Sequence, residues 1–279
     1  MSGRAIRPEE VFSGRAENYA AARSGYPREL FAWLMESARL APGAVAADVG
    51  AGTGKFTESL LDCGLAVHAV DPNAQMLEQA MARLLAHPDF YPHLGSGEAT
   101  GLPDASVDLV TCATAFHWLD ADAFARECRR ILRPGGKVLL TWLVRDESTP
   151  VNRAHMDVLR AFCPNFTGLA HGYDESLPRL SRFFASQEMR SFDADAVYDR
   201  ATFVRRSLSS SYALRRGDAP TVWHFSASMR RTDSIFMAFS LASASVCMGS
   251  KSGSVLPSSQ QANLPSTSTK RMIFSILAG

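Results

Sequence analysis

The chain has 279 residues, 46% hydrophobic and 20% charged, with a formal net charge of +1 at pH 7. That balance supports an ordinary buried core and carries no basic footprint for nucleic acid or an anionic membrane surface. Five widely spaced cysteines with no CxxC pair read as free thiols of a reducing compartment, so the expectation is a cytoplasmic protein without a metal site.

The opening residues, MSGRAIRPEEVF, lack the apolar stretch of a secretory signal, and no apolar run approaches the ~20 residues that span a bilayer. Residues 27–40 predict a helix: Pro27 suits a first helical position, and Leu30, Phe31, Leu34 and Leu40 repeat at helical spacing. The short apolar strand 43–49 follows and runs into Gly50, Gly52 and Gly54. A helix over 54–64 stops at Gly64, a second strand over 65–70 ends at Asp71-Pro72, and Asn73 caps a helix over 73–86. A weak third strand (89–97), a fourth (106–114), a helix (120–132) and a fifth strand (137–143) complete the first half, with Arg133-Pro134-Gly135-Gly136 ending the helix.

Strands alternating with helices of this length predict an α/β fold with a doubly wound, mostly parallel sheet. Ligands of such sheets bind beyond the carboxyl ends of the strands, near the switch point. That rule gathers the 50–54 loop, Asp71, residues 97–100 and residues 113–118 on one rim.

Three alternating glycines let backbone come close to a ligand and expose helix N-terminal N–H groups to negative charge. Asp71 closes the second strand 21 residues after Gly50, where a carboxylate can accept both hydroxyls of a ribose; capping of the next helix is the plainer alternative. Glu98 could take an exocyclic amine of adenine or simply face solvent. The set suggests an adenosine nucleoside. A G-x-G-x-x-G dinucleotide loop would need glycine where Lys55 stands, which disfavours a nicotinamide dehydrogenase.

The ordered run DVGAGTGKF, AVDPNAQML, GEATGLPDASVDLV, AFHW and LRPGGKVLL resembles the class I S-adenosylmethionine-dependent methyltransferases. The likeness covers residues 10–145 and is nearest the small-molecule subgroup of trans-aconitate and quinone-biosynthesis methyltransferases. It implies S-adenosyl-L-methionine as cofactor and a small-molecule acceptor, a carboxylate, hydroxyl or ring carbon. It further implies that Asp48 orients the glycine loop and the methionine amino group, while Gly50, Ala51 and Gly52 pass beneath the methionine moiety. Asp71 would hold the ribose, Pro72 and Met76 would pack on the adenine face, Glu98 and Ala99 would read its edge, and Ala113 would lie beside the methionine part. Tyr19 and Arg23 match a lid segment, with Arg23 placed to pair with the cofactor carboxylate or merely to sit on a surface helix. His117 is the one candidate base; the alternative is that His117 and Trp118 pack the rim and shape the pocket. A cofactor-binding but catalytically inactive relative is the competing functional reading.

The predicted organisation is a lid and first helix (1–42), a cofactor-binding core (43–145), an acceptor-cap insert with a sixth strand (146–220) and an atypical tail (221–279). In the second half, a helix is expected over 150–165, a sixth strand over 188–198 and a helix over 199–214. Of 28 acidic side chains, only Asp233 lies beyond residue 220, where 14 serines accumulate. The segment SSQQANLPSTSTK has the composition of a disordered linker. No convincing counterpart of the family's final antiparallel strand is visible, so that strand is expected to be missing or altered. A shifted reading frame near residue 220 and a divergent tail are the two explanations.

Overall fold

The structure, a computed structural model, describes residues 25–145, 147–163, 166–169, 172–174, 176, 178–180, 187–193, 200–208, 210 and 269–277. In chain order the elements are α1 (Arg28–Ser37), β1 (Val45–Val49), α2 (Lys55–Asp62), β2 (Ala66–Asp71), α3 (Ala74–Leu84), β3 (Phe90–Leu94), β4 (Val107–Ala113), a single 3₁₀ turn (Phe116–Trp118), α4 (Ala121–Ile131), β5 (Leu132–Arg145), α5 (Pro150–Phe162), β6 (Gln187–Asp193), α6 (Arg200–Leu208) and β7 (Thr269–Leu277). The sheet has the order β3-β2-β1-β4-β5-β7-β6. Strands β1 to β5 run parallel, and β7 is antiparallel to both β5 and β6.

The inner parallel strands β1, β2, β4 and β5 are largely buried on both faces, as crossover helices require, and the edge strand β3 is partly exposed. Successive residues therefore feed opposite cores. Ala46, Val67, Ala69, Leu109 and Leu139 meet Leu30, Phe31 and Leu34 of α1, Phe56 and Leu60 of α2, and Ala80 and Leu84 of α3. Ala47, Val49, Val110, Val138, Leu140 and Trp142 meet Phe124, Cys128 and Ile131 of α4, together with Leu180. The order reverses between β1 and β4, so the switch point lies at the carboxyl ends of those two strands.

Two expectations are corrected. The closing antiparallel strand is present: Thr269–Leu277 inserts between β5 and β6, pairing from Lys137↔Leu277 to Arg145↔Thr269. Nine consecutive backbone pairs with β5 place it, and the serine-rich sequence that precedes it hid the pattern. The fifth strand also begins earlier than expected. Leu132 already pairs with Val107, and the register then shifts so that Lys137 pairs with Leu109. Pro134-Gly135-Gly136 is thus an irregularity within the strand rather than only the end of α4. Of the linker composition read over residues 258–270, Thr269 and Lys270 belong to the closing strand, and the rest, with the lid read around Tyr19 and Arg23, lies outside the described residues.

Candidate functional site

β1 ends in Val49, and the chain turns at Gly50 (φ +71°), Gly52 (φ +57°) and Gly54 (φ +76°) before α2. The three glycines answer different demands. A Cβ on Gly50 would stand 2.5 Å from the Ala115 Cβ, so this position must be bare for the β1 and β4 loops to touch. A Cβ on Gly54 would stand 2.8 Å from Leu84 Cδ1 and 2.9 Å from the Ala80 Cβ, so this glycine lets α3 pack on the loop. The sequence alone could not separate ligand approach from helix packing; the third glycine serves packing.

Asp48 lies under this loop, fully enclosed. Its Oδ2 accepts from the Thr57 hydroxyl at 2.7 Å and its Oδ1 from the Thr111 hydroxyl at 2.8 Å. Burial dominates its titration and pushes the carboxyl up to about 6, against the lowering effect of the two threonines. The carboxylate ties β1 to α2 and to β4, and with no exposed surface it sits behind the rim rather than on it.

Asp71, the last residue of β2, turns toward the same loop. Oδ2 accepts the Gly52 N–H at 2.7 Å and Oδ1 accepts the Asn73 N–H at 2.8 Å. Burial raises its titration, and the two backbone donors oppose that shift. The helix cap proper is Asn73, whose side chain accepts from the Gln75 and Met76 N–H groups. Sequence reasoning named both residues but missed the bond from Asp71 to the glycine loop. Met76 is buried, with its Cε 3.3 Å from where a Gly52 Cβ would be, and Pro72 is exposed beside it.

The loop after β3 is anchored at both ends. Glu98 Oε1 accepts the Asp120 N–H at 2.9 Å, and Ala99 is exposed. Thr100 is buried and donates its N–H and hydroxyl to Glu127 Oε1 at 2.9 and 2.5 Å. Glu127 is held in turn by Arg130, which keeps its carboxyl down at about 2. A Cβ on Gly97 would meet Val49 Cγ1 and both Leu119 δ-carbons at 2.9 Å. Three of the four rim loops therefore interlock through close glycine contacts.

β4 ends at Ala113, paired with Thr141, and Thr114 adopts φ +57° with its N–H donated to the Thr141 carbonyl at 2.7 Å. A left-handed non-glycine residue at a strand end marks stored strain at the rim. The 3₁₀ turn that follows buries Phe116 against Phe124 and Trp142 and places the rings of His117 and Trp118 5.1 Å apart. Among the described residues, the hydroxyls of Thr53 in the glycine loop and Thr141 on β5 are buried and lack a hydrogen-bond partner.

A second polar cluster sits where β5 ends, and no sequence signal pointed to it. Arg145 Nη1 lies 3.0 Å from His155 Nδ1, and His155 Nε2 lies 3.0 Å from Ser207 Oγ. Ser207 donates its own hydroxyl proton to the Phe203 carbonyl, so its oxygen accepts from His155. The imidazole is therefore the neutral Nε2–H tautomer, accepting from Arg145. Burial, then the Arg145 and Arg206 charges, hold its titration well below the usual histidine range. Its two bonds span 10 and 52 positions of the chain, so no local motif could have revealed them.

Among the described residues no group of three His, Cys, Asp or Glu side chains could hold a metal ion, and no helix is long and apolar enough to cross a membrane.

The methyltransferase domain family matches residues 47–140. An uncharacterized methyltransferase of Mycobacterium tuberculosis is 41% identical over 136 residues, covering 49% of this chain and 53% of that protein. A malonyl-[acyl-carrier protein] O-methyltransferase of Yersinia pestis is 34% identical over 149 residues, 53% of this chain and 54% of that protein. The chain spans about half the length of the curated relatives it matches. Among solved structures, a protein of Anaeromyxobacter dehalogenans provisionally assigned to the type II methyltransferases superposes with a TM-score of 0.60 at 27% identity, covering 91% of this chain and 97% of that one.

Proposed function

We propose that this chain, whose residues 47–140 match a methyltransferase domain, is a class I S-adenosylmethionine-dependent methyltransferase that transfers a methyl group from S-adenosyl-L-methionine to a small-molecule acceptor. The observation that carries the proposal is the Asp71-to-Gly52 bond, which holds a bare-backbone loop at the switch point of the sheet. The residues present fit the cofactor. The loop is kept open by glycine, and the unmet Thr53 hydroxyl adds a polar atom without a protein partner.

Gly50, Ala51 and Gly52 lie under the amino-acid part, with Asp48 acting from behind through the strand. Each Asp71 oxygen keeps a lone pair beyond its backbone bond, and these accept the ribose hydroxyls. Pro72 and Met76 floor the adenine, Glu98 and Ala99 take its edge, and Ala113 borders the methionine part. On the sequence resemblance alone, Tyr19 and Arg23 are assigned to closing over the cofactor. Bound there, the cofactor supplies a methyl group on a sulfonium, already electrophilic, so the protein's task is alignment. His117 faces the acceptor side, and its Nε2 takes the proton of a hydroxyl or amine acceptor. A carboxylate acceptor arrives deprotonated and needs no base.

The test is incubation with methyl-labelled S-adenosylmethionine and a fractionated metabolite pool, following label and S-adenosylhomocysteine together. Label in a small product with matching S-adenosylhomocysteine is expected. Binding of the cofactor without any turnover would overturn the catalytic reading.

A further inference from the structure

The loop after α5 returns to the β4 rim and packs on it at single-atom resolution. Gly172 has φ +86°, and a Cβ built there would lie 2.6 Å from His117 Nδ1, 2.7 Å from Cγ and 2.8 Å from Cε1. The bare backbone thus lies flat on one face of the imidazole, while Trp118 takes another side at 5.1 Å between ring centroids. The same segment is fastened again beyond this contact. Ser176 donates its hydroxyl to the Gly172 carbonyl, and Arg179 donates to the Leu119 carbonyl. The Arg179 guanidinium lies 4.9 Å above the Phe116 ring. Tyr173 meets Trp142 edge-on at 5.8 Å, and Leu180 is in the core. The Arg179 contacts reach the turn 116–119 directly, and Tyr173 reaches Trp142, on which Phe116 packs.

We propose that Gly172 is a positioning residue for His117, and that the segment 172–180 sets the ring's orientation at the acceptor side. This rests on the reading of His117 as the acceptor-side base. The physical reason is geometric. A base must stay within hydrogen-bond reach of the proton it removes, and a misplacement of about 1 Å can cost roughly a hundredfold in rate. Any side chain at position 172 would drive the ring away by several tenths of an ångström, or lift the segment from the turn. Glycine at this point therefore serves both the loop's left-handed backbone and the close approach to the histidine.

The experiment compares the full chain with Gly172→Ala and Arg179→Gln by ¹⁵N-edited NMR of the histidine rings across pH 5–9, with His117→Gln assigning the His117 signals. His155, buried elsewhere, is the internal control. The expected result is that Gly172→Ala moves the His117 ring resonances and shifts its titration by roughly half a pH unit or more, while His155 stays in place. Turnover should fall about tenfold to a hundredfold with cofactor affinity unchanged. Arg179→Gln, which introduces no clash at the ring, should move the same resonances less, and it stands as the reading if Gly172→Ala does not fold. His117 resonances identical to wild type in the folded variant would overturn the proposal. Because the ring signals need no turnover, absence of methyl transfer in the wild type counts against the proposed function and leaves this inference to the NMR result.

Discussion

Asp71 reaches back 19 positions along the chain to accept the Gly52 N–H at 2.7 Å. One carboxylate thereby joins the end of β2 to the loop after β1, and its other oxygen secures the start of α3 through Asn73. Replacing it with alanine leaves two buried N–H groups unmet. Asp71→Ala is expected to weaken S-adenosylmethionine binding by about 1–3 kcal/mol, read by titration calorimetry. Affinity equal to wild type would show that neither the loop nor the ribose depends on this residue.

His117→Ala should slow turnover while sparing cofactor affinity. Loss of a positioned acid–base group costs roughly a hundredfold or more. Steady-state rates beside a cofactor titration separate the two quantities, and full activity would leave His117 as a packing residue beside Trp118.

Asp48 gives a prediction about the acid-to-neutral range. Burial raises its folded-state titration from 3.8 to about 6, so the folded protein holds a proton that the unfolded chain releases. Its contribution to stability is full below 3.8 and is lost as pH rises through about 6. Asp48→Asn carries no such charge and keeps the volume. Its stability relative to wild type should therefore improve between pH 5 and pH 8, by about 1.5 kcal/mol. Thermal melts of both proteins across that range provide the measurement; a constant difference would refute the buried charge.

His155 works in the opposite sense. Its folded-state titration is depressed well below 6.5, so the unfolded chain binds a proton first. Stability is complete above about 6.5 and declines as pH falls below it. His155→Gln should be less stable than wild type at neutral pH, by roughly 1–3 kcal/mol from its broken hydrogen bonds. That deficit should shrink toward pH 5. Since Asp48 and His155 slope against each other in the acid range, denaturant midpoints for each variant resolve what wild-type melts combine.

Glu127 should prove structural at a distance from the rim. It receives both Thr100 donors and the Arg130 guanidinium. Glu127→Ala is expected to destabilise the fold by about 1–3 kcal/mol, the cost of leaving the buried Thr100 donors unmet, the partly exposed Arg130 pair adding little, and to loosen the Glu98–Ala99 loop. Chemical denaturation gives the first quantity, and an increased KM for cofactor the second.

The parallel half of the fold was legible because its signals are local. Asn73 caps the helix it was expected to cap, and the apolar runs of β1, β2 and β4 are bounded by glycine or Asp-Pro. What escaped was whatever depends on distant partners. Gly54 looks like its two neighbours in sequence, yet only the position of Ala80 and Leu84 shows that it serves packing. Arg179 meets Leu119 across 60 positions, and no periodicity encodes that. β7 escaped for another reason. Its pairing is backbone to backbone, and an antiparallel strand between two neighbours needs no special residue to be there.

The place of β7 in the sheet also orders events in time. β6 has no neighbour in the sheet except β7, and β5 has its outer edge open until β7 arrives. On a ribosome, the five parallel strands and the glycine loop emerge and can pack well before Thr269 is made. During that interval the nascent chain exposes one row of unsatisfied backbone donors and acceptors, an invitation to self-association. Cells making this protein should depend on something to shield that edge until translation supplies the last strand.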